Sequence, residues 1–502
     1  MATALATNPA ITHAKEKPKL GLRFWMERVL EECDRAAAGF ETDPVHDLRV
    51  ALRRCRSLAD GLMAMDPDPS WRDMKKAGRK LFQALGELRD MQVMQEWIEK
   101  LAGPKEGASD PVVVKLLNHV HAREAECKQL AWKDLNQFDK KRWRQWSRML
   151  PGRASRLRPG NAVYLHLALE KWTAAYELHK RAVRTRSQIA LHELRIGIKR
   201  FRYTVENFLP KQHALWGDSL KELQDLLGEV HDLDVLWATA LEILAFPDVE
   251  SRNRWREKIS HERNLRVERY RELMIGKASL WRVWRAELPE GADLRRAAMN
   301  RMRVWAGYLD PDFSHAERVA QMSLQLYDGL RKAGLLHQGA EHDSRDVLQA
   351  AAYMHDVGRA KGNENHQKKS RRMILKLARP LGWSPRELEL AAVVARYHRG
   401  VLPRPRAKTM QRLELPDRRV ALELAGVLRL ANALDRRNGM SPRLDVEGRD
   451  SVLVVHSAGY APLDRCAENI AAARHLLETV LRRPVMVKGM PAARGHHHAP
   501  SR

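Results

Sequence analysis

The sequence predicts a mainly α-helical protein with more than one domain, and three observations lead to this prediction. The chain has 502 residues, which is more than one hydrophobic core usually serves. Long stretches poor in Gly and Pro carry apolar residues three and four positions apart, a spacing typical of amphipathic helices, over 21–101, 111–150, 161–208, 216–245 and 249–284. Two segments also recur in the same order in this region, which indicates two copies of one helical unit.

The composition is strongly basic. The formal net charge is +26 and the pI is about 10.1, so the surface favours polyanions such as nucleic acid, inorganic polyphosphate, nucleotides or an acidic membrane. The four cysteines stand far apart without a CxxC pair. Their spacing argues against a disulfide framework or a zinc cluster and for a reducing compartment. Charge alone leaves the choice among the polyanions open.

The N-terminal residues do not have the pattern of a signal peptide, because no basic segment is followed by a long apolar one. We expect residues 1–19 to form a flexible arm. No apolar run approaches the roughly 20 residues that a transmembrane helix needs. The sequence therefore predicts a soluble, cytoplasmic protein without a membrane span.

The repeat consists of two motifs. The segment HDLRVALRRCR at 46–56 returns as HELRIGIKRFR at 192–202, and LGELRDMQV at 85–93 returns as LGEVHDLDV at 227–235. A biased helical composition could imitate one such match by chance. Two matches at nearly the same separation indicate a duplicated unit.

The first motif of each copy predicts a helix face with charges of one sign. Positions i, i+3, i+7 and i+10 of a helix lie on one stripe. In the two copies these positions are basic: His46, Arg49, Arg53 and Arg56, then His192, Arg195, Lys199 and Arg202. A solvated helix would intersperse acidic residues, whereas uncompensated cations suit a ligand with many phosphates. The alternative is neutralisation by the acids of the second motif, Glu87, Asp90, Glu229 and Asp232; the presence of two basic copies favours the ligand.

Residues 286–296 have the composition of a linker. Beyond them, helical spacing resumes to about residue 437 and then gives way to an alternating β-branched segment, RLDVEGRDSVLVVHSAG, a helix and the segment PVMVKGM. This order predicts a small β-α-β element at the end of a helical domain over 297–490. We expect residues 491–502 to be a disordered tail.

The two repeated motifs resemble the CHAD family, the conserved histidine α-helical domain, over roughly 20–285, with repeats at about 20–150 and 160–285. The resemblance implies two pseudo-symmetric four-helix units whose basic faces surround a groove that holds inorganic polyphosphate, with no cofactor required. The implied polyphosphate-binding side chains are His46, Arg49, Arg53, Arg54, Arg56, His192, Arg195, Lys199, Arg200 and Arg202, with Arg79, Lys80, Arg89 and Lys221 as additions. The family pattern has a basic residue before its Asp, as at Arg89; the second copy has His231, whose charge depends on pH.

A second group of histidines and carboxylates follows in the C-terminal domain. FSHAERV places His315 near the start of a helix, and AAYMHDVGR places His355 and Asp356 at the end of another. Imidazole and carboxylate ligands from separate helices suit Mg, Mn, Fe or Zn, and a bound metal lowers the pKa of water. An adjacent His-Asp pair is weak by itself, because His46 and His231 also precede Asp without implying a metal.

With NENHQKKSRRMIL, ARYHRG and VLRLANALDRR, these segments resemble the C-terminal HD-type domain of the exopolyphosphatase and guanosine pentaphosphate phosphatase family. The resemblance implies metal ligands at His315, His355, Asp356 and Asn432, and a pocket lined by His366, Lys368, Ser370, His398, Arg399 and Asp435. Asn432 stands where the family pattern has an aspartate, and an amide oxygen is a poorer ligand; Asp435, one turn later, is the candidate replacement. A basic loop after His398 adds Arg404, Arg406, Lys408 and Arg412.

Three interpretations of function follow. The first is a polyphosphate-binding protein whose HD-type module extends the binding surface, in association with polyphosphate granules. The second is a metal-dependent phosphohydrolase that acts on polyphosphate or nucleotides with Mg, Mn or Fe at His355 and Asp356. The resembling family carries its phosphatase chemistry in an actin-like domain whose glycine-rich phosphate loops this chain does not show, and this favours binding. The third, nucleic-acid binding, is secondary because most of the 14 tryptophans occupy apolar helical positions.

Overall fold

A computed structural model of the chain describes residues 21–490, apart from 39, 41, 104–108, 338–343, 436–442, 450, 459 and 461–465. The chain divides into two compact units with a boundary between Leu288 and Pro289. The described part contains nineteen α-helices and one three-stranded sheet near its C-terminal end, which confirms the prediction of a mainly α-helical fold. The predicted N-terminal arm and C-terminal tail lie outside the described residues.

The first unit consists of two successive groups of helices, one for each repeat. The first group is α1 (Leu22–Ala38), α2 (Thr42–Leu62), α3 (Pro69–Ala77), α4 (Arg79–Ala102), α5 (Pro111–Asn136) and α6 (Lys140–Ala154). The second group is α7 (Ala162–Thr185), α8 (Gln188–Phe208), α9 (Pro210–Glu242), α10 (Val249–Met274) and α11 (Leu280–Ala286). The first motif thus lies on α2 and α8, and the second on α4 and α9.

Polar caps explain where several of these helices begin. Asp68, Asp110, Asn161 and Ser187 each accept a hydrogen bond from a backbone N–H in the first turn of α3, α5, α7 and α8, respectively. Such a cap satisfies a donor that the helix itself leaves unpaired, and its loss typically costs about 1 kcal/mol. A proline follows two of the caps, at the helix position where its missing N–H costs least.

Equivalent helices of the two groups pack against each other. α2 contacts α8, and α4 contacts α9. Gly61 is required where α2 meets the end of α8, because a Cβ at this position would overlap the ring of Phe208. Asn207 on α8 also donates a hydrogen bond of 3.0 Å to the Ser57 hydroxyl on α2. The two repeats are therefore joined through the very helices that carry the repeated motifs, in an approximate two-fold arrangement.

One apolar core belongs to both repeats. It is built from α4 and α5 of the first repeat and α9 and α10 of the second, with Trp97, Ile98, Leu116, Leu236 and Trp255 among its buried side chains. Full burial of an apolar side chain of this size stabilises a fold by about 1.5–3 kcal/mol. The helices α4 and α9, which carry the second motif, are thus stabilised by one continuous apolar core.

The second unit is a helical domain with a small sheet. Its helices are α12 (Gly291–Leu309), α13 (Phe313–Lys332), α14 (Ser344–Met354), a 3-10 helix (Val357–Lys361), α15 (His366–Ile374), α16 (Pro385–Arg396), α17 (Lys408–Gln411), α18 (Leu415–Leu434) and α19 (Ala467–Leu481). Residues 291–296, the end of the predicted linker, belong to α12, whose first turn carries the acidic Asp293. An acidic residue near a helix N-terminus is favourable because of the helix dipole.

The sheet has the order β1 (Leu444–Gly448), β2 (Leu453–Ser457) and β3 (Val485–Gly489). β2 and β3 are parallel and are connected through α19, which is the predicted β-α-β element. β1 precedes this element in the chain and pairs with β2 in the antiparallel direction. None of the described helices combines the length and the hydropathy that a bilayer span requires.

Candidate functional site

The basic stripes of α2 and α8 face a common space. Burial, followed by Arg195, Arg49 and Arg53, lowers the pKa of Lys199 to about 8, while Asp90 offsets part of this effect. Burial and Arg53 also lower the pKa of Arg49, although Asp90 raises it. Cations from the two repeats are thus close enough to repel one another. We call the space bounded by Arg49, Arg53, Arg195 and Lys199 the basic groove.

These four cations have no hydrogen-bond or ion-pair partner among the described residues, although Arg53 lies over the ring of Tyr203, 5.9 Å from its centroid. No hydrogen bond or ion pair of their side chains is present there, and the Nε atoms of Arg49 and Arg53 are buried without an acceptor. Proteins rarely bury unpaired cations, because the lost hydration costs several kcal/mol for each ion. The basic groove therefore offers N–H donors that suit an anionic ligand.

The alternative interpretation, in which acids of the second motif neutralise the stripes, finds no ion pair with the stripe cations among the described residues. Glu87 lies 3.7 Å from Arg123, and Glu229 pairs with Arg266. Asp90 and Asp232 face the groove without an ion pair within 4 Å among the described residues. Burial raises the pKa of Asp90 despite the nearby Arg49, Arg195 and Lys199, and it raises the pKa of Asp232 to about 6.

Four cations thus face two carboxylates, which leaves a surplus of two positive charges (4 − 2 = 2) in the groove. A cavity of about 230 Å³ opens beside them in the second repeat, lined by Arg195, Lys199, Gln224, Asp225, Gly228, Glu229 and Asp232. Its lining includes three carboxylates as well as two cations, so the part that suits an extended polyanion is the adjoining groove between the four cations.

Several other basic residues implied by the CHAD resemblance have partners within the protein. Arg54 pairs with Glu206 at 2.5 Å and lies over the ring of Trp25. Arg56 donates to the carbonyl oxygen of Lys75 at 2.7 Å, and Arg89 lies 3.2 Å from Glu96. We therefore expect Arg54, Arg56 and Arg89 to contribute less to ligand binding than the four groove cations.

The remaining predicted residues lie around the groove helices. Arg202 and Lys221 act on the carboxyl of Asp225, whose pKa is nonetheless raised by burial. The exposed members of the predicted set are His46, Arg79, Lys80, Arg200 and Lys221. These positions remain predictions for ligand binding.

The histidines of the second repeat form a pair. Nδ1 of His192 lies 3.3 Å from Nδ1 of His231. Burial, followed by Arg195, His192 and Lys199, lowers the pKa of His231 to about 4. His231 is therefore neutral at pH 7, and it does not supply the positive charge that the family pattern has at this position.

In the second unit, three histidines have the same orientation. The Nδ1 atoms of His355, His366 and His398 lie 2.7, 2.9 and 2.8 Å from the carbonyl oxygen three residues earlier. Because a carbonyl only accepts, Nδ1 carries the proton, and Nε2 of each neutral ring is an electron-pair donor. Burial lowers the pKa of His355 and His398, so both are neutral at pH 7. Metal-binding histidines are commonly oriented in this way.

These Nε2 atoms converge on Oδ1 of Asp356. The distances are 3.0 Å from His366, 3.5 Å from His398 and 3.6 Å from His355, and the Nε2 atoms of His366 and His398 are 3.3 Å apart. Two ligands about 2.1 Å from a tetrahedral metal are about 3.4 Å apart. Asp356, His366 and His398 therefore have the spacing of metal ligands, and we call them the Asp356 triad. Burial opposes ionisation of the Asp356 carboxyl, whereas protonation of the neighbouring histidines would hold its pKa well below the ordinary value.

The Asp356 carboxylate also belongs to a second group, with His315 and His355, but there His315 has other partners. Its Nδ1 lies 2.6 Å from Asp435 and its Nε2 lies 2.9 Å from Oδ1 of Asn432. Arg318 donates two hydrogen bonds to Asp435. Burial raises the pKa of Asp435, but these hydrogen bonds outweigh that effect and hold the pKa well below its ordinary value. Asp435 thus orients His315 and does not stand in for the ligand position at Asn432.

Gly358, two residues after Asp356, brings the triad together. Its N–H donates to the Ser370 hydroxyl at 2.9 Å, and a Cβ here would collide with the backbone of His366 and Ser370. The 3-10 helix can therefore lie directly on α15. Ser370, which the resemblance implied as a pocket residue, is buried in this contact, whereas Lys368 and Arg399 are exposed.

Sequence reasoning missed one carboxylate in this region. Asp310, between α12 and α13, is buried, and its Oδ2 has no hydrogen-bond partner among the described residues. Burial raises the pKa of Asp310, and so does the negative charge of Asp356 nearby. The only sequence signal is the acidic LDPD segment before His315. The other oxygen of Asp310, Oδ1, accepts a hydrogen bond of 3.0 Å from the N–H of Asp312, and the ionised carboxylate would add to the negative potential that a divalent cation meets beside the triad.

In comparisons with known proteins, two family models match parts of this chain. A CHAD domain model matches residues 23–241, and a model of Ppx/GppA phosphatase, domain III, matches residues 299–452. Among solved structures, the crystal structure of the CHAD domain from the plant Ricinus communis is similar at 22% identity, over 53% of this chain and 88% of its own, with a TM-score of 0.34. None of the curated proteins compared with the chain matches it.

Proposed function

We propose that this chain, which carries a CHAD domain followed by a Ppx/GppA phosphatase domain III, is a polyphosphate-binding protein. The basic groove is the primary binding site, and the second unit provides further binding surface. The two domain matches agree with the resemblances on which the sequence interpretation rests and with a role related to polyphosphate. Association with polyphosphate granules is the cellular setting that this function predicts.

One observation carries the proposal: four cations from two repeats face one groove without a hydrogen-bond or ion-pair partner among the described residues. Guanidinium groups form short, charge-assisted and often bidentate hydrogen bonds with phosphate oxygens. A linear phosphate polymer supplies such oxygens at short intervals. It can therefore satisfy cations on α2 and α8 at the same time.

Competition between polyphosphate and DNA tests the proposed ligand. We expect long-chain polyphosphate to bind the full chain at physiological salt and to displace duplex DNA present at equal phosphate concentration. Affinity should fall as salt rises, because binding releases counterions from the polymer. Fluorescence anisotropy of labelled DNA measures the displacement. Equal or tighter binding of DNA would contradict the proposal.

The pH dependence of binding follows from two groove residues. Lys199, with its pKa lowered to about 8, loses its charge as pH rises through that value. Asp232, with its pKa raised to about 6, loses its negative charge as pH falls through that value. The internal phosphates of a long chain stay ionised throughout this range. The affinity for polyphosphate should therefore increase in two steps as the pH falls from about 9 to about 5. Titration calorimetry at constant ionic strength measures the profile.

Matched substitutions assign the two steps. Asp232 faces Arg195 and Lys199 on α8, Asp90 on α4 and Glu229 on its own helix. Asp232→Asn should remove the step near pH 6, and Lys199→Arg should remove the step near pH 8. A profile that neither substitution changes would show that other groups control it.

A metal-dependent phosphohydrolase is the second candidate function, and the Asp356 triad favours it. The donor set of two imidazoles and one carboxylate fits a divalent transition metal. His366, His398 and Asp356 would hold the ion, with His355 beside them. A bound divalent metal lowers the pKa of a coordinated water and so supplies a nucleophile at neutral pH. Arg359, which lies 3.2 Å from Oδ2 of Asp356, orients the carboxylate.

A further inference from the structure

Two arginines in the second unit, the half-buried Arg371 and the buried Arg396, have buried nitrogen atoms without hydrogen-bond partners, although Arg396 lies over the ring of Tyr397. Arg371 lies on α15 and Arg396 at the end of α16, and these two helices pack against each other. Arg396 is only 8% exposed, and its NH1 atom has no hydrogen-bond partner. The Nε and NH2 atoms of Arg371 are also buried without a partner. Neither side chain forms an ion pair within the described part of the chain.

The electrostatic surroundings of these arginines are unfavourable for cations. Burial lowers the pKa of Arg371, and Arg412 and Arg396 lower it further, while Glu389 and Tyr397 offset part of the effect. Burial also lowers the pKa of Arg396. Guanidinium groups nevertheless stay protonated in proteins. Two like charges are thus held together, where an unpaired buried charge costs several kcal/mol.

The neighbouring loop brings a third cation to this place. The hydroxyl of Tyr397 lies 2.5 Å from that of Thr409 on α17, which connects this short helix to the end of α16. Arg412 directly follows α17, and Arg418 donates to the carbonyl oxygens of Gln411 and Leu413 on either side of it. The backbone around Arg412 is therefore held in place, while its side chain is exposed.

We propose that Arg371, Arg396 and Arg412 form a separate binding site for a phosphoryl group, with Arg396 at its buried end and Arg412 at its exposed end. Three guanidinium groups from different elements offer donors in several directions, which suits the tetrahedral oxygens and the double charge of a phosphoryl group better than a planar carboxylate. The N–H groups left without partners at Arg371 and Arg396 become satisfied when the oxyanion binds. The site contains none of the residues of the basic groove and none of the Asp356 triad.

The choice of a condensed phosphate as the natural carrier of this group rests on the proposed function, whereas the oxyanion site itself does not. Inorganic pyrophosphate and long-chain polyphosphate share the recognised group, and each is tested as a separate probe. A site of this kind would hold one phosphoryl unit of a polymer on the second unit, independently of the groove.

The experiment uses the full chain with Arg49, Arg53, Arg195 and Lys199 changed to Glu, so that the basic groove no longer contributes. We expect pyrophosphate to bind this protein by calorimetry and to raise its melting temperature. Arg371→Gln with Arg396→Gln should weaken binding by about tenfold or more, which corresponds to about 1.4 kcal/mol. The same pair should raise the melting temperature measured without phosphate, because it removes two unpaired buried charges.

Two further variants keep the result interpretable. Arg412→Gln changes an exposed side chain and should weaken binding severalfold without affecting folding. Arg372→Gln changes the neighbouring exposed residue on α15 and should leave binding and melting temperature unchanged. If polyphosphate but not pyrophosphate responded to the Arg371 and Arg396 changes, the site would still hold phosphoryl groups, but only those within a chain.

Other outcomes would overturn the site. The proposed site would be wrong if the Arg371 and Arg396 changes left pyrophosphate binding intact. It would also be wrong if sulfate had an equal effect, because that result would indicate an adventitious ion only. Binding of an oligo-glutamate peptide in preference to pyrophosphate would assign the surface to an acidic protein partner. Failure of the groove substitutions to affect polyphosphate in the otherwise unchanged chain would contradict the proposed function and leave this site standing.

Discussion

Reversing the charge of Arg49, Arg53, Arg195 and Lys199 to Glu is expected to abolish polyphosphate binding at the groove. Each charge-assisted hydrogen bond contributes about 1.5–3 kcal/mol, so the loss of four amounts to an affinity change on the order of 10,000-fold or more. The introduced carboxylates would also repel the polymer beside Asp90 and Asp232. Calorimetry with a chain of defined length measures the change.

A matched control separates the groove from the overall charge of the protein. Arg144, Arg148, Arg184 and Arg252 are exposed on α6, α7 and α10, and their reversal to Glu changes the net charge by the same amount. We expect this control to weaken binding only modestly and in a salt-dependent way. Similar losses in both variants would mean that binding follows net charge and that the groove is structural.

Neutral substitutions provide a second check on the groove. Changing the same four residues to Gln removes their mutual repulsion without adding carboxylates. We expect the melting temperature without ligand to stay the same or rise, because none of the four has a hydrogen bond or an ion pair to lose among the described residues. Polyphosphate should no longer raise the melting temperature of this variant.

Replacement of His366 or His398 by Ala is expected to remove divalent-metal binding from the second unit. Loss of a residue that only orients a ligand typically costs about 10- to 100-fold in metal affinity, and loss of a ligand should cost more. Asn432→Ala should have little effect, because its amide is hydrogen-bonded to His315. Equilibrium dialysis against Mn, Fe or Zn, followed by metal analysis of the protein, measures the change.

The metal experiment needs two precautions. The three consecutive histidines at 496–498 would bind added metal themselves and are replaced by Ser in every variant. Lys368→Ala changes an exposed residue on α15 and serves as the matched control. Strong dependence on Asn432 with no dependence on His398 would restore the set implied by the resemblance, with His315, His355 and Asp356 as its other members.

Phosphate release extends this test to the second candidate function. If the second unit hydrolyses polyphosphate or nucleotides with Mn, Mg or Fe, His355→Ala combined with Asp356→Ala should eliminate the activity. Release that persists in the double variant would place any hydrolysis outside the Asp356 triad. No release with any of these metals would leave binding as the function of this unit.

The sequence predicted those features whose residues recur with the local periodicity of a helix or a strand. The stripe that contains Arg49 and Arg53 follows from helical spacing alone, and its second copy contains Arg195 and Lys199. The helical class and the β-α-β element were also predicted correctly. These features depend on residues that are only a few positions apart, so a short segment of the sequence is enough to predict them.

Features that depend on long-range packing could not be predicted in this way. The pair of Arg54 and Glu206 joins two helices 152 positions apart in the chain (206 − 54 = 152), so periodicity gave no reason to separate Arg54 from the other cations of its stripe. His366 and His398 were assigned to a pocket, but only the packing of α15 on the 3-10 helix brings them to Asp356. The sequence analysis did not single out Arg371 and Arg396, since the burial of their nitrogen atoms arises where α15 packs on α16.

The approximate two-fold relation between the repeats has a consequence for the ligand. Inorganic polyphosphate has no direction, since its chain reads the same from either end, whereas nucleic acid has chemically distinct 5′ and 3′ ends. A groove whose walls come from equivalent helices, α2 and α8, presents nearly the same cations to a polymer that enters from either side. If polyphosphate binds the groove as proposed, we expect both orientations of its chain to bind equally well, so that the polymer could enter, leave and slide without first being turned around.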